Sequence, residues 1–71
     1  METIQIKDNY IKLGQAMKLG SMVSSGVEAK IVIQDGQVEV NGETCTMRGK
    51  KLVPGDVISF HGQEARIEQK A

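Results

Sequence analysis

Residues 25–42 read SGVEAKIVIQDGQVEVNG, and the first half of this segment fits either a helix or a strand. Four apolar residues fall at alternate positions there, three of them β-branched, and β-branched residues favour strands. Against a strand, Ser25 and Glu28 have the spacing of a helical capping box, and Gly36 suits the end of a helix. We therefore predict a helix that ends near residue 35.

The second half of the segment has the pattern of a β-hairpin. Val38 and Val40 alternate with polar residues, as they do in a strand that buries one face. Asn41-Gly42 follows directly, and this dipeptide is the strongest short signal for a two-residue hairpin turn. A return strand is predicted over residues 44–47.

The flanking segments add one more helix and three more strands. Two isoleucines at period two predict a strand over residues 3–7. The apolar spacing from Leu13 onward predicts a helix over residues 12–20, with Gly20 in the left-handed C-terminal position. Beyond the hairpin we predict a basic loop at 48–51, a turn at 54–56, a strand at 57–60, a turn at 61–62 and a last strand at 64–68.

This order of elements predicts the α+β class, with two short helices packed on a small, mostly antiparallel sheet. A chain of 71 residues has room for one domain, which we place over residues 1–71. Its core is expected over about residues 3–68, and residues 69–71 are expected to form a frayed tail.

Composition limits the classes of function. Nine Lys and Arg balance nine Asp and Glu, so no bulk field draws the chain to nucleic acid or to an anionic membrane. The single cysteine, Cys45, cannot form an internal disulfide and predicts a reducing compartment, the cytoplasm. The longest apolar runs have three residues, so we expect no secretion signal and no membrane partner. Aromatic content of 3% is too low for a surface that stacks successive single-stranded bases.

The residues also give little support to catalysis, metal binding or a cofactor. His61 is the only histidine and so the only candidate for a general base of the usual type, and a turn position is its simpler interpretation. Cys45 and His61 are the whole supply of soft or imidazole ligands, which is too few for a zinc site. The glycines are scattered rather than gathered in a phosphate loop. We expect no enzyme activity, no catalytic residue, no cofactor and no metal.

One local charge cluster stands out. Arg48, Lys50 and Lys51 place three cations in four positions of a balanced chain. Taken alone, the cluster is most simply a solvated loop. If the two helices pack together on the sheet, Lys18 and Lys30 could share a face with this loop and form a phosphate-binding surface.

Five segments resemble a known family in order and spacing. They are Leu13–Leu19 (LGQAMKL), Ser25–Lys30 (SGVEAK), Gly36–Glu43 (GQVEVNGE), Arg48–Leu52 (RGKKL) and Pro54–Val57 (PGDV). Together they resemble the small bacterial YaaA-like proteins, stand-alone relatives of the S-four domain, which is also called the α-L RNA-binding motif. The resemblance covers roughly residues 3–62.

The resemblance implies a fold and a function. In that family two helices and the following hairpin form an L-shaped unit that grips structured RNA, and an N-terminal strand completes the sheet. It implies that this chain is a non-catalytic, monomeric RNA-binding module acting on ribosomal RNA in ribosome assembly or translation. The alternative is a protein-interaction adaptor that presents the same basic loop to an acidic partner.

The resemblance also implies the site. Basic positions of the family match Lys18, Lys30, Arg48, Lys50 and Lys51. Ser25 and Gly26 match a helix N-terminus that can meet a phosphate. The chain departs from the family at Val27, where a second glycine is usual, and at Met47, where another arginine is frequent. Both departures weaken the expected attraction to phosphate.

Overall fold

The computed structural model describes residues 1–70. Its helices and strands confirm the α+β class and the predicted order. The elements are β1 (Glu2–Ile6), β2 (Ile11–Lys12), α1 (Leu13–Leu19), α2 (Gly26–Gln34), β3 (Val38–Val40), β4 (Glu43–Thr44), β5 (Lys51–Leu52), β6 (Val57–Phe60) and β7 (Gln63–Gln69). Neither helix in this part of the chain has the length and apolar composition needed to cross a lipid bilayer.

Five strands form the main sheet, in the order β1-β7-β6-β3-β4. The pairs β7-β6, β6-β3 and β3-β4 are antiparallel, and β1 completes the sheet by pairing parallel to β7. The prediction of a mostly antiparallel sheet is therefore confirmed. A second sheet, which the sequence analysis does not predict, pairs β2 with β5 in antiparallel register, and Lys51, the last residue of the predicted basic loop, belongs to β5.

The helix predicted near residues 25–35 is confirmed by its ends. Ser25 Oγ accepts a hydrogen bond from Glu28 N at 3.1 Å, and Ser24 N donates to Glu28 Oε1 at 2.7 Å. Gly36 follows the helix with φ 78°, and its N–H and that of Gln37 donate back to carbonyls of the last turn, both at 3.1 Å. These caps satisfy backbone groups that a helix end leaves unpaired.

Helix α1 ends differently from the prediction. Gly20 does not take the left-handed position, since its φ is −83°, and Ser21 takes it instead with φ 59°. The N–H groups of Ser21 and Met22 complete the end of the helix by donating to its last turn at 3.1 and 2.9 Å. Gly20 is needed for close packing, because a Cβ there would lie 2.9 Å from Ile4 Cδ1.

The hairpin at Asn41-Gly42 is confirmed, although its return strand is shorter than predicted. Asn41 has φ 53° and Gly42 has φ 85°, and Val40 pairs with Glu43 across the two-residue turn. The return strand ends at residue 44, but Cys45 N still donates to Val38 O at 2.9 Å. A turn of the same kind joins β6 to β7 at residues 61–62, as predicted.

The prediction of a frayed tail is wrong for residues 69 and 70. Gln69 belongs to β7 and pairs with Ile6, and its Nε2 also donates to Ile6 O at 3.1 Å. Lys70 N donates to Ile6 O at 2.8 Å. Parallel pairing with β1 gives these backbone groups partners that the sequence pattern does not reveal. Ala71, the remaining residue of the predicted tail, lies outside the described residues.

The core lies between the two helices and one face of the sheet. Its members are buried apolar side chains: Ile4, Ile6, Leu13, Ala16, Met17, Val23, Ala29, Ile33, Val38, Val40, Leu52, Ile58, Ala65 and Ile67. Along the strands they alternate with solvent-facing residues, so the other face of the sheet is polar. A binding site on the helical side of the molecule is therefore formed by the helices and by the loop before β5.

Candidate functional site

The loop between β4 and β5 is held against the start of α1. Lys50 N donates to Met47 O at 3.1 Å and closes a turn. Two N–H groups at the start of α1 donate to this turn: Leu13 N to Lys50 O at 2.9 Å, and Gly14 N to Arg48 O at 3.1 Å. The loop thus satisfies helix donors that would otherwise need a capping side chain. Arg48 is fixed beside α1 by backbone contacts rather than by its own side chain.

Gly14 gives the Arg48 side chain its path across the helix. A Cβ at Gly14 would lie 2.9 Å from Arg48 Cγ and 3.5 Å from Arg48 Cδ. Carbon atoms in ordinary contact are about 3.5–4.0 Å apart, so any larger residue would displace the arginine. Glycine at position 14 makes the helix less stable than alanine would, but it leaves room for the Arg48 side chain.

A groove of ≈ 340 Å³ runs between α1, the start of α2 and this loop. It is lined by three cationic residues, three glycines and one amide side chain: Lys12, Lys18, Arg48, Gly14, Gly26, Gly49 and Gln15. No carboxylate is among the lining residues. Three cations in a concave wall that no carboxylate lines give a positive field, which concentrates anions. We call this feature the basic groove.

The basic groove contains three of the seven residues predicted for the site. Lys18, Gly26 and Arg48 come together there, from two helices and a loop that are distant in sequence. Lys12 and Gln15 are lining residues that the sequence analysis missed. Their signal was present in the sequence, because positions 12, 15 and 18 are spaced by three and share one face of a helix.

The other four predicted residues lie outside the basic groove. Ser25 Oγ caps α2, and Lys30 is exposed on that helix. Lys50 lines a separate shallow concavity that also contains Glu43. The Lys51 ammonium lies 4.8 Å from the centre of the Tyr10 ring, in a cation–π contact.

The N-terminus of α2 attracts a bound anion less strongly than a free helix N-terminus would. The Glu28 carboxylate accepts hydrogen bonds from Ser24 N at 2.7 Å and Ser24 Oγ at 3.2 Å, so the protein brings its own anion to this helix end. Gly26 leaves its surroundings open, since nothing lies within 4 Å of a Cβ built there. The departures Val27 and Met47 are both exposed, at 70% and 67%, and neither lines the basic groove.

The residues weighed for catalysis or metal binding have structural partners. His61 Nε2 and Gln37 Oε1 share a hydrogen bond, and Gln37 Nε2 donates to Asp35 Oδ2 at 2.7 Å. The Cys45 thiol lies 3.7 Å from Met47 O. Within residues 1–70 no three His, Cys, Asp or Glu side chains are grouped so that they could hold a metal ion.

Comparison with known proteins identifies the family. A model of the family described as "S4 domain" matches residues 4–68, which is nearly the whole chain. The chain belongs to the S4 domain family. This S4 domain is 36% identical over 61 residues to "Putative RNA-binding protein YbcJ" of Escherichia coli (strain K12), covering 86% of the chain and 87% of that protein. It is 41% identical over 59 residues to "Probable ribosome maturation protein RlbA" of Bacillus subtilis (strain 168), covering 83% of each.

A solved structure gives the same result for the fold. The solution structure of Escherichia coli YbcJ, described as revealing an α-L motif involved in RNA-binding, superposes with a TM-score of 0.74 at 35% sequence identity. The superposition covers 96% of this S4 domain and 87% of YbcJ. The two helices and the following hairpin of this S4 domain therefore form the α-L motif, and the predicted family resemblance is confirmed.

Proposed function

We propose that this S4 domain is a non-catalytic RNA-binding module that holds the phosphate backbone of structured RNA in the basic groove. The observation that carries the proposal is the meeting of Lys12, Lys18 and Arg48 in a concave site that no carboxylate lines. Arg48 suits a phosphate because its guanidinium can donate two parallel hydrogen bonds. The glycines of the groove leave space for a backbone to approach closely.

Shape and charge are the expected means of recognition. Structured RNA presents phosphates and 2′-hydroxyls at the spacing of its A-form helix, and it hides most base faces. The 3% aromatic content argues against recognition of a long single strand, which relies on successive stacked bases. A rigid groove formed by two helices and a fixed loop instead suits an RNA whose backbone is already ordered.

The finer assignment is that the RNA is ribosomal and that the protein acts in ribosome assembly or translation. It is supported by the names of the relatives, one for RNA binding and one for ribosome maturation. The same proposal includes a cytoplasmic location, a monomeric protein and no membrane partner. The remaining predicted contacts, Ser25, Lys30, Lys50 and Lys51, would flank the basic groove and touch the RNA only at its margin.

The test compares two variants that each lose two positive charges. Lys18→Ala/Arg48→Ala empties the basic groove of two cations, and Lys30→Ala/Lys50→Ala removes two exposed cations outside it. Binding of a labelled ribosomal RNA hairpin is measured by fluorescence anisotropy at several salt concentrations. We expect the groove variant to bind at least about tenfold more weakly, because each phosphate contact contributes affinity by releasing counterions from the RNA. The flanking variant keeps the groove contacts, so its affinity should fall less than about threefold.

The outcome separates RNA binding from the adaptor alternative. Equal losses in the two variants would contradict the basic groove as the site. Binding of the unmodified protein that does not weaken with salt, or stronger binding to an acidic peptide than to the hairpin, would contradict the RNA-binding function itself.

A further inference from the structure

Tyr10 is the more exposed of the two aromatic residues, with 41% of its surface accessible, whereas Phe60 is half-buried beside the core. It lies in the short connection between β1 and β2. Its ring is therefore within reach of a ligand at the surface.

The ring is held in place by a cation from a different element. Lys51 of β5 pairs with Lys12 of β2, two residues after Tyr10, and this register places the Lys51 ammonium 4.8 Å from the ring centre. A cation over the face of an aromatic ring is attracted by the ring electrons, and the attraction favours this arrangement of the two side chains. Lys51, which the sequence predicts as a phosphate contact, is therefore engaged with Tyr10.

Tyr10 is continuous with the basic groove. The ring lines two adjoining concavities, and Gln15 lines both of them as well as the basic groove. Lys18 is shared with one concavity and Lys12 with the other. A phosphate in the basic groove would thus leave its own nucleotide, or the next one, beside the tyrosine.

The chemistry around Tyr10 differs from that of the basic groove. Asp8 and Lys7 both line the two concavities, so the surroundings of Tyr10 carry charges of both signs, whereas the charged residues of the basic groove are all cations. The side chains of Asp8, Asn9 and Gln15 instead offer acceptors and donors that suit a base edge or a ribose hydroxyl. An aromatic face with polar neighbours is the usual platform for a base that has left its helix.

We propose that Tyr10 and Lys51 form a subsite for one unpaired base, next to the phosphates held in the basic groove. The base stacks on ring surface that Lys51 does not cover, and Asp8 and Gln15 bind its edge or its ribose. This inference rests on the proposed RNA-binding function and adds to it the class of target, a paired stem interrupted by a bulged or flipped nucleotide. A single aromatic residue is sufficient for a single base.

The test uses two RNA hairpins that differ by one nucleotide. One has a fully paired stem, and the other has the same stem with a single bulged 2-aminopurine, whose fluorescence falls when it stacks. Stacking of a base on an aromatic side chain contributes about 1–3 kcal/mol, so the protein should bind the bulged hairpin at least about fivefold more tightly and quench the 2-aminopurine.

Variants of Tyr10 separate stacking from a structural role. Tyr10→Phe should keep the preference and the quenching. Tyr10→Leu, which retains apolar volume, should lose both while binding the fully paired hairpin as the unmodified protein does. Lys51→Ala should reduce the preference more than Lys50→Ala, because Lys50 does not contact the ring. Melting temperatures recorded on the same samples show whether each variant is folded.

The results also distinguish the subsite from the function on which it rests. Equal, salt-dependent binding of both hairpins, without quenching, would overturn the subsite and leave the RNA-binding function standing. Retention of the preference by a folded Tyr10→Leu variant would overturn it as well. Failure of both hairpins to bind in a salt-dependent manner would overturn the RNA-binding function.

Discussion

Two glycines at either end of α1 show how one residue type serves stability at one position and function at another. Gly20 packs against the buried Ile4, and a Cβ would lie 2.9 and 3.2 Å from atoms of that side chain. Gly14 packs against Arg48, an exposed side chain that can move. The same substitution therefore has different consequences at the two sites.

We expect Gly14→Ala to change the free energy of unfolding by less than about 1 kcal/mol, since alanine favours the helix and the arginine can yield. RNA affinity should fall at least about threefold, because Arg48 is pushed out of the basic groove. Gly20→Ala is the matched control and should cost about 1–3 kcal/mol by overpacking, with unchanged affinity at temperatures where it is folded. Chemical denaturation and hairpin binding give both quantities. Unchanged affinity in Gly14→Ala would contradict the contact with Arg48 as a binding determinant.

The sequence reveals such residues only in part. Gly14 is visible as a residue that weakens a predicted helix, but its partner Arg48 is far away in the chain. Gly20 looks like a left-handed C-terminal residue, and that interpretation fails because Ser21 takes the conformation instead. A glycine's local role can be predicted from propensity, whereas its packing role depends on long-range contacts.

At the scale of elements, the capping residues at its two ends identify helix α2, whereas the shortest strands are not predicted. Ala29 and Ile33 are fully buried while Val27 and Ile31 are exposed, so the helix buries residues four apart rather than alternate ones. The capping residues predicted this helix correctly against the β propensity of its interior. Strands β2 and β5 have two residues each, too few to show a period, and only the fold brings them together.

The cap of α2 can be tested by removing a single hydroxyl. Ser25→Ala deletes the acceptor for Glu28 N and should lower the free energy of unfolding by about 1 kcal/mol. Ser24→Ala is the matched control, because its hydroxyl makes only a 3.2 Å contact with the Glu28 carboxylate, and it should cost less than about 0.5 kcal/mol. Thermal and urea melts measure both. Equal stabilities of the two variants would show that the cap does not hold the helix.

RNA binding by the same Ser25→Ala variant tests its predicted role in the site. Ser25 Oγ is used as a cap and does not line the basic groove, so affinity for the hairpin should change less than about twofold in the folded protein. A larger loss would mean that the RNA contacts Ser25 as well as the residues that line the groove.

At the scale of the whole molecule, a zero net charge hides a separation of charge. The basic groove lies on the helical side, while Glu39, Glu64 and Glu68 lie on the outer face of the sheet, which also carries Arg66. The shortest extent of the molecule is 18 Å. The Debye length of about 10 Å at 0.1 M salt is shorter than this extent, so salt screens charges across the full width of the molecule. Composition shows the balance of charges, but their separation depends on the fold.

This separation predicts that local charge, rather than net charge, governs RNA binding. Three cations in the basic groove should give a slope of log affinity against log salt of about −2 to −3. The variant Glu39→Gln/Glu64→Gln/Glu68→Gln makes the molecule cationic and leaves the groove unchanged, so its slope should match that of the unmodified protein, with affinity raised less than about threefold. Lys18→Ala/Arg48→Ala should flatten the slope by one to two units, at about one unit per lost contact. A steeper slope, or a tenfold gain, in the glutamine variant would show that the field of the whole molecule attracts the RNA.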